Sequence, residues 1–160
     1  KMNLEKQQSN SGANLIGSLE HILEAYEILQ DSINTIKYFD KAKATLNNKQ
    51  LCKLQNNIGF KLGLPWIENM QYYTDYRLRK SIHYLRNVLN ECDDSLIHPG
   101  DHRWDVDAAL VVVSYLAYGT EYAKKIYDEQ IKPSGVMDKL LPIFAESDPG
   151  KTDYVNLNTF

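Results

Sequence analysis

Four side chains close together, His98, Asp101, His102 and Asp105, are of the types that ligate Zn²⁺ or Fe²⁺. A His pair at i, i+4 shares a face only on a helix, however, and Pro99-Gly100 lies between these two and breaks any helix there. The stretch therefore reads as a loop, with Asp101 or Asp105 capping the helix that follows, and no metal is expected. A second group combines Tyr72, Tyr73, Tyr76 and Tyr84 with Arg77, Arg79, Lys80 and Arg86 along one helical stretch. Aromatic faces between basic groups stack on bases and pair phosphates, and the same mixture anchors protein interfaces. With 18 basic against 21 acidic residues, a net charge of −3 and a pI near 5.8, the chain lacks the broad basic footprint of nucleic-acid binders. A protein partner is the expectation, with nucleic acid disfavoured.

Nucleophilic and cofactor chemistry find little support. The sequence has no Gly-x-Ser-x-Gly elbow, no Cys-x-x-Cys, no phosphate-binding or dinucleotide glycine loop and no His-Glu-x-x-His. Glu20, Glu24 and Glu27 are expected on a solvated helix face. No cofactor is expected, and the enzyme reading takes second place. It takes its form from Arg77 and His83, which have five residues between them and resemble the Arg-x₄₋₆-His signature of HEPN-type ribonucleases. That resemblance implies His83 as acid or base on a 2′-hydroxyl and Arg77 as stabiliser of developing phosphate charge. This chain departs from the family in having Leu78 after the Arg, where a polar residue is usual. A metal-assisted site at His98, Asp101 and His102 is the other form of the enzyme alternative.

The elements that would position these groups are helices. Leu15, Leu19, Ile22, Tyr26, Leu29, Ile33 and Ile36 repeat in steps of four and three, which predicts a helix from about Asn14 to Leu46, broken if at all near Asp40. Leu51, Leu54 and Ile58 predict a second helix, 48 to 62, closed by Gly63. Leu78, Ile82, Leu85, Leu89, Cys92 and Leu96 carry a third, preceded by Trp66, Ile67, Met70 and Tyr73 and opened by Pro65. A fourth, from Trp104 to about Gln130, is apolar on nearly every side as far as Tyr118, so neighbours all round are expected, with Gly119 as a bend. Val136 to Glu146 reads as a short helix. Alternation of the strand type is absent, so the fold class is all-α: one domain over 14–148, a flexible arm over 1–13 and a tail over 149–160. A chain of 160 residues buries about two thirds of its surface on folding, enough for a core without cross-links.

Cys52 and Cys92 both fall inside apolar helical patterns and are expected buried and free. Two cysteines, no Asn-x-Ser/Thr site and a polar start without a signal-like apolar core favour a cytoplasmic setting. The most apolar window, 108 to 117, is about half the roughly 20 residues that a membrane span needs. Charge is polarised. Residues 37 to 61 hold six Lys against Asp40, while 91 to 107 hold six acidic residues against Arg103.

Ala109-Leu110-Val111-Val112-Val113-Ser114-Tyr115-Leu116-Ala117-Tyr118-Gly119-Thr120-Glu121, then Ile126 and Gly135-Val136-Met137-Asp138-Lys139-Leu140-Leu141 through to Ser147-Asp148, resembles an armadillo repeat. The resemblance covers about 104–148 and implies an armadillo/HEAT-like helical scaffold, either a bundle or a short right-handed stack of helical hairpins. Where peptide-binding repeats carry Asn this chain has Tyr115, so no binding residue is carried over. The leading reading is a non-enzymatic protein-interaction module. It would contact its partner through Tyr72, Tyr73, Tyr76, Arg77, Arg79, Lys80 and Arg86, with the Lys-rich stretch 37 to 61 as a second candidate. Self-association through the Leu15–Ile36 seam is a further possibility. An enzyme should turn titratable groups inward, whereas a scaffold should keep its helix seams apolar.

Overall fold

The computed structural model describes residues 2–63, 74–92 and 103–134. They form an all-α bundle of six helices: α1 (Met2–Ile28), α2 (Ser32–Thr45), α3 (Asn48–Gly63), α4 (Asp75–Glu91), α5 (Arg103–Tyr118) and α6 (Thr120–Ile126). A π-helical turn (Tyr127–Ile131) and a 3₁₀ turn (Lys132–Ser134) extend α6. The stretch 64–73, with Pro65 and its proposed helix start, the loop 93–102 and the segment 135–160 lie outside the described residues. So do His98, Asp101 and His102 of the candidate metal site and the second half of the armadillo-like stretch.

Helix α1 starts at Met2, so the segment read as an arm continues the helix. Glu5, Lys6, Gln7 and Gln8 are good helix formers, and nothing before Gly12 interrupts them. The expected single helix to Leu46 is broken at Leu29–Asp31 rather than at Asp40. Gln30 takes the left-handed conformation (φ 57°). The Asp31 N–H bonds to the Tyr26 carbonyl at 2.9 Å and the Gln30 N–H to that of Glu27 at 3.1 Å, the Schellman arrangement that closes a helix. Asp31 then caps α2, its carboxylate accepting from the Asn34 N–H at 3.1 Å and from Asn34 Nδ2 at 2.7 Å. One residue stops the first helix and the next starts the second. Asn47 and Gln50 open α3 in the same way, each side chain accepting from the other's backbone N–H.

The reversal folds α2 back along α1. Tyr26 stacks on Tyr38 at 5.5 Å, and Ala42 and Leu46 join Ile16, Leu19 and Leu23 in one cluster with Leu54, Ile58 and Leu62 of α3. The other cluster packs Leu78, Ile82, Leu85 and Val88 of α4 against Val106, Ala109, Leu110 and Val113 of α5 and Ile126 of α6. The α3–α4 pair, in the most extensive contact of the bundle, is thus flanked by α1–α2 on one side and α5–α6 on the other. Gly59 and Gly63 permit that contact. Ser81 Oγ donates to the Gly59 carbonyl at 2.6 Å, and a Cβ on Gly63 would overlap Ser81 and Val113.

The α1 face turned inward carries Ile16, Leu19, Leu23, Glu20 and Glu27, so Glu20 and Glu27, expected on a solvated face, are buried and Glu24 is partly buried, while Leu29, Ile33 and Ile36 of the apolar seam are exposed. Helix α5 leaves Val112, Tyr115, Leu116 and Tyr118 exposed instead of being enclosed on all sides, and Asp105 lies within it rather than at its N-cap. Gly119 does separate α5 from α6, with φ 83°. The cysteines are buried but not free: Cys52 and Cys92 form a disulfide across a Cα–Cα distance of 6.0 Å, tying α3 to the C-cap of α4. Facing α3 and α4 antiparallel brings these positions, 40 residues apart, into bonding range. A loop of that length implies about 4 kcal/mol of stabilisation, so reduction should lower the urea midpoint by that equivalent. A midpoint unchanged by reductant would mean the bond contributes nothing.

Candidate functional site

The α4 residues expected to form one contact face are divided among several surroundings. Thr74 caps α4, its Oγ1 accepting from the Arg77 N–H at 3.2 Å, and this fixes the phase of the helix. In that phase Tyr76, Lys80 and Tyr84 turn toward α1. Arg77 turns toward α3, where it is buried and its Nη2 donates to the Lys61 carbonyl at 3.1 Å. Arg77 is therefore not on an exposed basic face, because that bond holds its head inside the bundle. Arg79 is exposed, and the Arg86 guanidinium is half-buried, lying 2.8 Å from the side-chain amide of Gln130, whose oxygen can turn to accept from it. Tyr72 and Tyr73 lie outside the described residues.

The structure also separates Arg77 from His83. Six residues on a helix place the two about 120° apart around the axis. Arg77 faces α3, whereas His83 is exposed, with its Nε2 3.3 Å from Asn87 Nδ2.

Glu27 is the buried charge of the α1–α4 contact, 1% exposed near the C-terminus of α1. Its Oε1 accepts from Tyr84 Oη at 2.8 Å, its Oε2 from Tyr76 Oη at 3.2 Å, and Lys80 Nζ lies 3.7 Å from Oε2. A buried carboxylate is tolerable only when hydrogen-bonded and paired, and both conditions hold here. One turn or two before it on the same face, Glu24 and Glu20 meet Lys61 of α3, with Asn57 Nδ2 donating to Glu20 at 2.8 Å. Burial pushes the Tyr84 hydroxyl well above the ordinary tyrosine value, and the charge and hydrogen bond of Glu27 add to it. The same causes raise Tyr76. Burial alone would lower Lys61, but its hydrogen bonds to Glu20 and Glu24 and their charges outweigh that and hold it above the usual lysine value.

Over this node opens a cleft of about 190 Å³ between α2 and α4. Ile36, Phe39, Asp40 and Lys43 line it from α2, Lys80, His83 and Asn87 from α4, and Glu27 and Tyr84 belong to its wall. Lys43 Nζ sits 5.0 Å from the Phe39 ring centroid, so the ammonium is held over an aromatic face. Of these residues sequence reasoning singles out Lys80, Tyr84, His83 and, through the Lys-rich stretch, Lys43. Phe39, Asn87 and the role of Glu27 carried no local signal. Among the described residues no cluster of His, Cys, Asp and Glu is placed to hold a metal, and no helix is long and apolar enough to cross a membrane. No family model, curated protein or solved structure matches the chain.

The raised groups give a pH dependence whose sign follows from proton counting. Tyr84, Tyr76 and Lys61 keep their protons in the folded chain beyond the unfolded values near 10 to 10.4. Above about pH 10 the folded state binds more protons than the unfolded one, so stability must fall as pH rises. Urea midpoints between pH 8 and 12 should be level up to about pH 9.5 and then decline. Tyr84→Phe should make that decline shallower; an unchanged slope would contradict the placement of its hydroxyl on Glu27.

Proposed function

We propose that this chain is a non-enzymatic helical interaction module that receives an acidic, partly apolar segment of a protein partner in the α2–α4 cleft. The observation that carries the reading is the cleft itself. At about 190 Å³ it is smaller than the roughly 300–1,000 Å³ of small-molecule and cofactor sites, and of a size for one or two anchoring side chains. Its apolar wall, Ile36 and Phe39, suits an aliphatic or aromatic anchor, and Lys43 and His83 suit a flanking carboxylate, while Lys80 is engaged by Glu27 and Asp40 is the acidic group on the same rim. Arg79, exposed on α4, extends the basic rim.

Titratable groups do turn inward, the arrangement associated above with an enzyme. Glu20 and Glu27 bond to Asn57, Lys61, Tyr76, Tyr84 and Lys80, and Arg77 to a backbone carbonyl, so their hydrogen-bonding capacity is directed into the fold. The burial of the Arg77 head against the Lys61 carbonyl, with His83 exposed, weighs against the ribonuclease reading. The Cys52–Cys92 bond supports an oxidising compartment in place of the cytoplasm.

A peptide library pairing Leu or Phe anchors with Asp/Glu or with Lys/Arg flanks tests this reading, with a photo-crosslinking residue in place of Asn87. Acidic-flanked peptides should be selected, and Lys43→Glu with His83→Glu should weaken them about tenfold, equivalent to 1.4 kcal/mol. Selection of no peptide, or affinity indifferent to the two reversals, would exclude the cleft as the contact.

A further inference from the structure

The charges that line the α2–α4 cleft cancel. Glu27 and Asp40 are carboxylates, and Lys43 and Lys80 are ammonium groups, two of each sign. Lys80 lies 3.7 Å from Glu27 Oε2 and is engaged inside the wall, which leaves Asp40 and Lys43 on the α2 edge. Burial and Glu27 hold the Tyr84 hydroxyl protonated well beyond the ordinary tyrosine value. His83 is the remaining titratable group of the lining. It is exposed on α4, its ring T-shaped to that of Tyr84 at 5.8 Å, and its Nε2 lies 3.3 Å from Nδ2 of Asn87, a cleft residue itself. Histidine is the side chain whose charge changes between about pH 5 and 8. A balanced cleft therefore acquires an unbalanced positive charge at one lining residue when the surroundings turn mildly acidic.

We infer that the cleft takes its acidic segment in a pH-dependent way, with His83 as the switch; this rests on the cleft being the contact for such a segment, as proposed above. The imidazolium attracts a carboxylate of the segment, and the neutral ring does not. Protonation also changes the bonding. With the ring proton on Nδ1, Nε2 accepts from Asn87 Nδ2; once both nitrogens carry protons that bond is lost, and Asn87 turns its amide oxygen to the ring or releases it. Either way each ring nitrogen becomes a donor. The charged groups around the ring come from three helices. Glu27 of α1 and Asp40 of α2 favour the added charge, and Lys43 of α2 and Lys80 of α4 oppose it. Beyond the lining, Arg79 and Arg86 stand one turn before and one turn after His83. Arg79 follows Asp75 by one turn, and Arg86 lies against Gln130. No other lining residue changes charge over the same interval, so the cleft's preference for carboxylates is set at His83.

The test is fluorescence anisotropy of the full, disulfide-intact chain with a blocked, rhodamine-labelled peptide carrying one Phe between Asp residues. It is read at about pH 5.5 and about pH 8 in dilute buffer, where screening is weak. The Asp side chains of the peptide stay ionised at both values. So does Asp31, which its bonds to the Asn34 side chain and backbone N–H hold below the ordinary carboxylate value, and the α2 wall keeps its cap. The parent chain should bind about three- to fivefold more tightly at the lower pH, the range of one partly exposed ion pair. His83→Gln should bind with the weaker affinity at both values, and His83→Lys with the tighter affinity at both. A second peptide with Asn in place of Asp should bind the parent chain equally at the two. Equal affinity of the parent chain for the Asp peptide at both values, or a pH dependence that His83→Gln retains, overturns the inference and leaves the cleft a contact indifferent to pH. Binding of neither peptide at either value overturns the cleft reading and the inference together.

Discussion

A carboxylate taken out of water and left without partners would shift its equilibrium toward the protonated form or unfold its surroundings, at a cost of several kcal/mol. Glu27 is 1% exposed and is not left so: three α4 side chains, Tyr76, Lys80 and Tyr84, supply its hydrogen bonds and an opposite charge. The bonding requires α1 to lie against α4 with one rotation and one axial offset, because Tyr76 and Tyr84 reach the two oxygens from two turns apart. Once α1 is placed, α2 follows from the Schellman turn and the cleft opens between α2 and α4. Loss of the node would remove the polar tie between α1 and α4 and leave the α1–α2 hairpin held by its packing on α3 through Leu23, Leu54 and Ile58.

The fold class and the α4 seam were legible because periodicity reports apolar spacing directly: Leu78, Ile82, Leu85 and Leu89 are buried as their spacing requires. Helix α1 shows where that reasoning fails. Two stripes about 100° apart compete on it, the longer aliphatic one through Leu15, Ile22 and Leu29 and a shorter one through Ile16, Leu23 and Glu27. Counting apolar residues favours the first. The structure buries the second, because its carboxylates find Asn57, Lys61, Tyr76 and Tyr84 at sequence separations that no local pattern reveals. The break at Gln30 was hidden for a related reason. Glutamine is an uncommon residue at a left-handed position, and the Asp31–Asn34 cap was the readable signal.

The candidate site was legible in composition and not in arrangement. A helix carrying Tyr, Arg and Lys was read as one surface, but residues three and four apart share a face and residues one apart do not. Tyr76, Lys80 and Tyr84 therefore turn toward Glu27 while Arg77 enters the α3 contact. The disulfide likewise depends on the antiparallel register of α3 and α4, which brings together two cysteines that each looked like a small hydrophobe. What stays exposed after these internal demands are met includes the α2–α4 cleft and the Val112, Tyr115, Leu116 and Tyr118 face of α5.

The coupling between Glu27 and Tyr84 is the most direct measure of the tie between α1 and α4. A double-mutant cycle of Glu27→Gln and Tyr84→Phe, read by urea unfolding with the disulfide intact, isolates it from the effect of either change alone. A coupling energy of about 1.5–3 kcal/mol, the range for a buried hydrogen bond to a charged group, is the predicted result. A coupling within about 0.3 kcal/mol of zero would contradict it, since additive effects would mean that the two side chains do not meet and that α1 is held to α4 by something else.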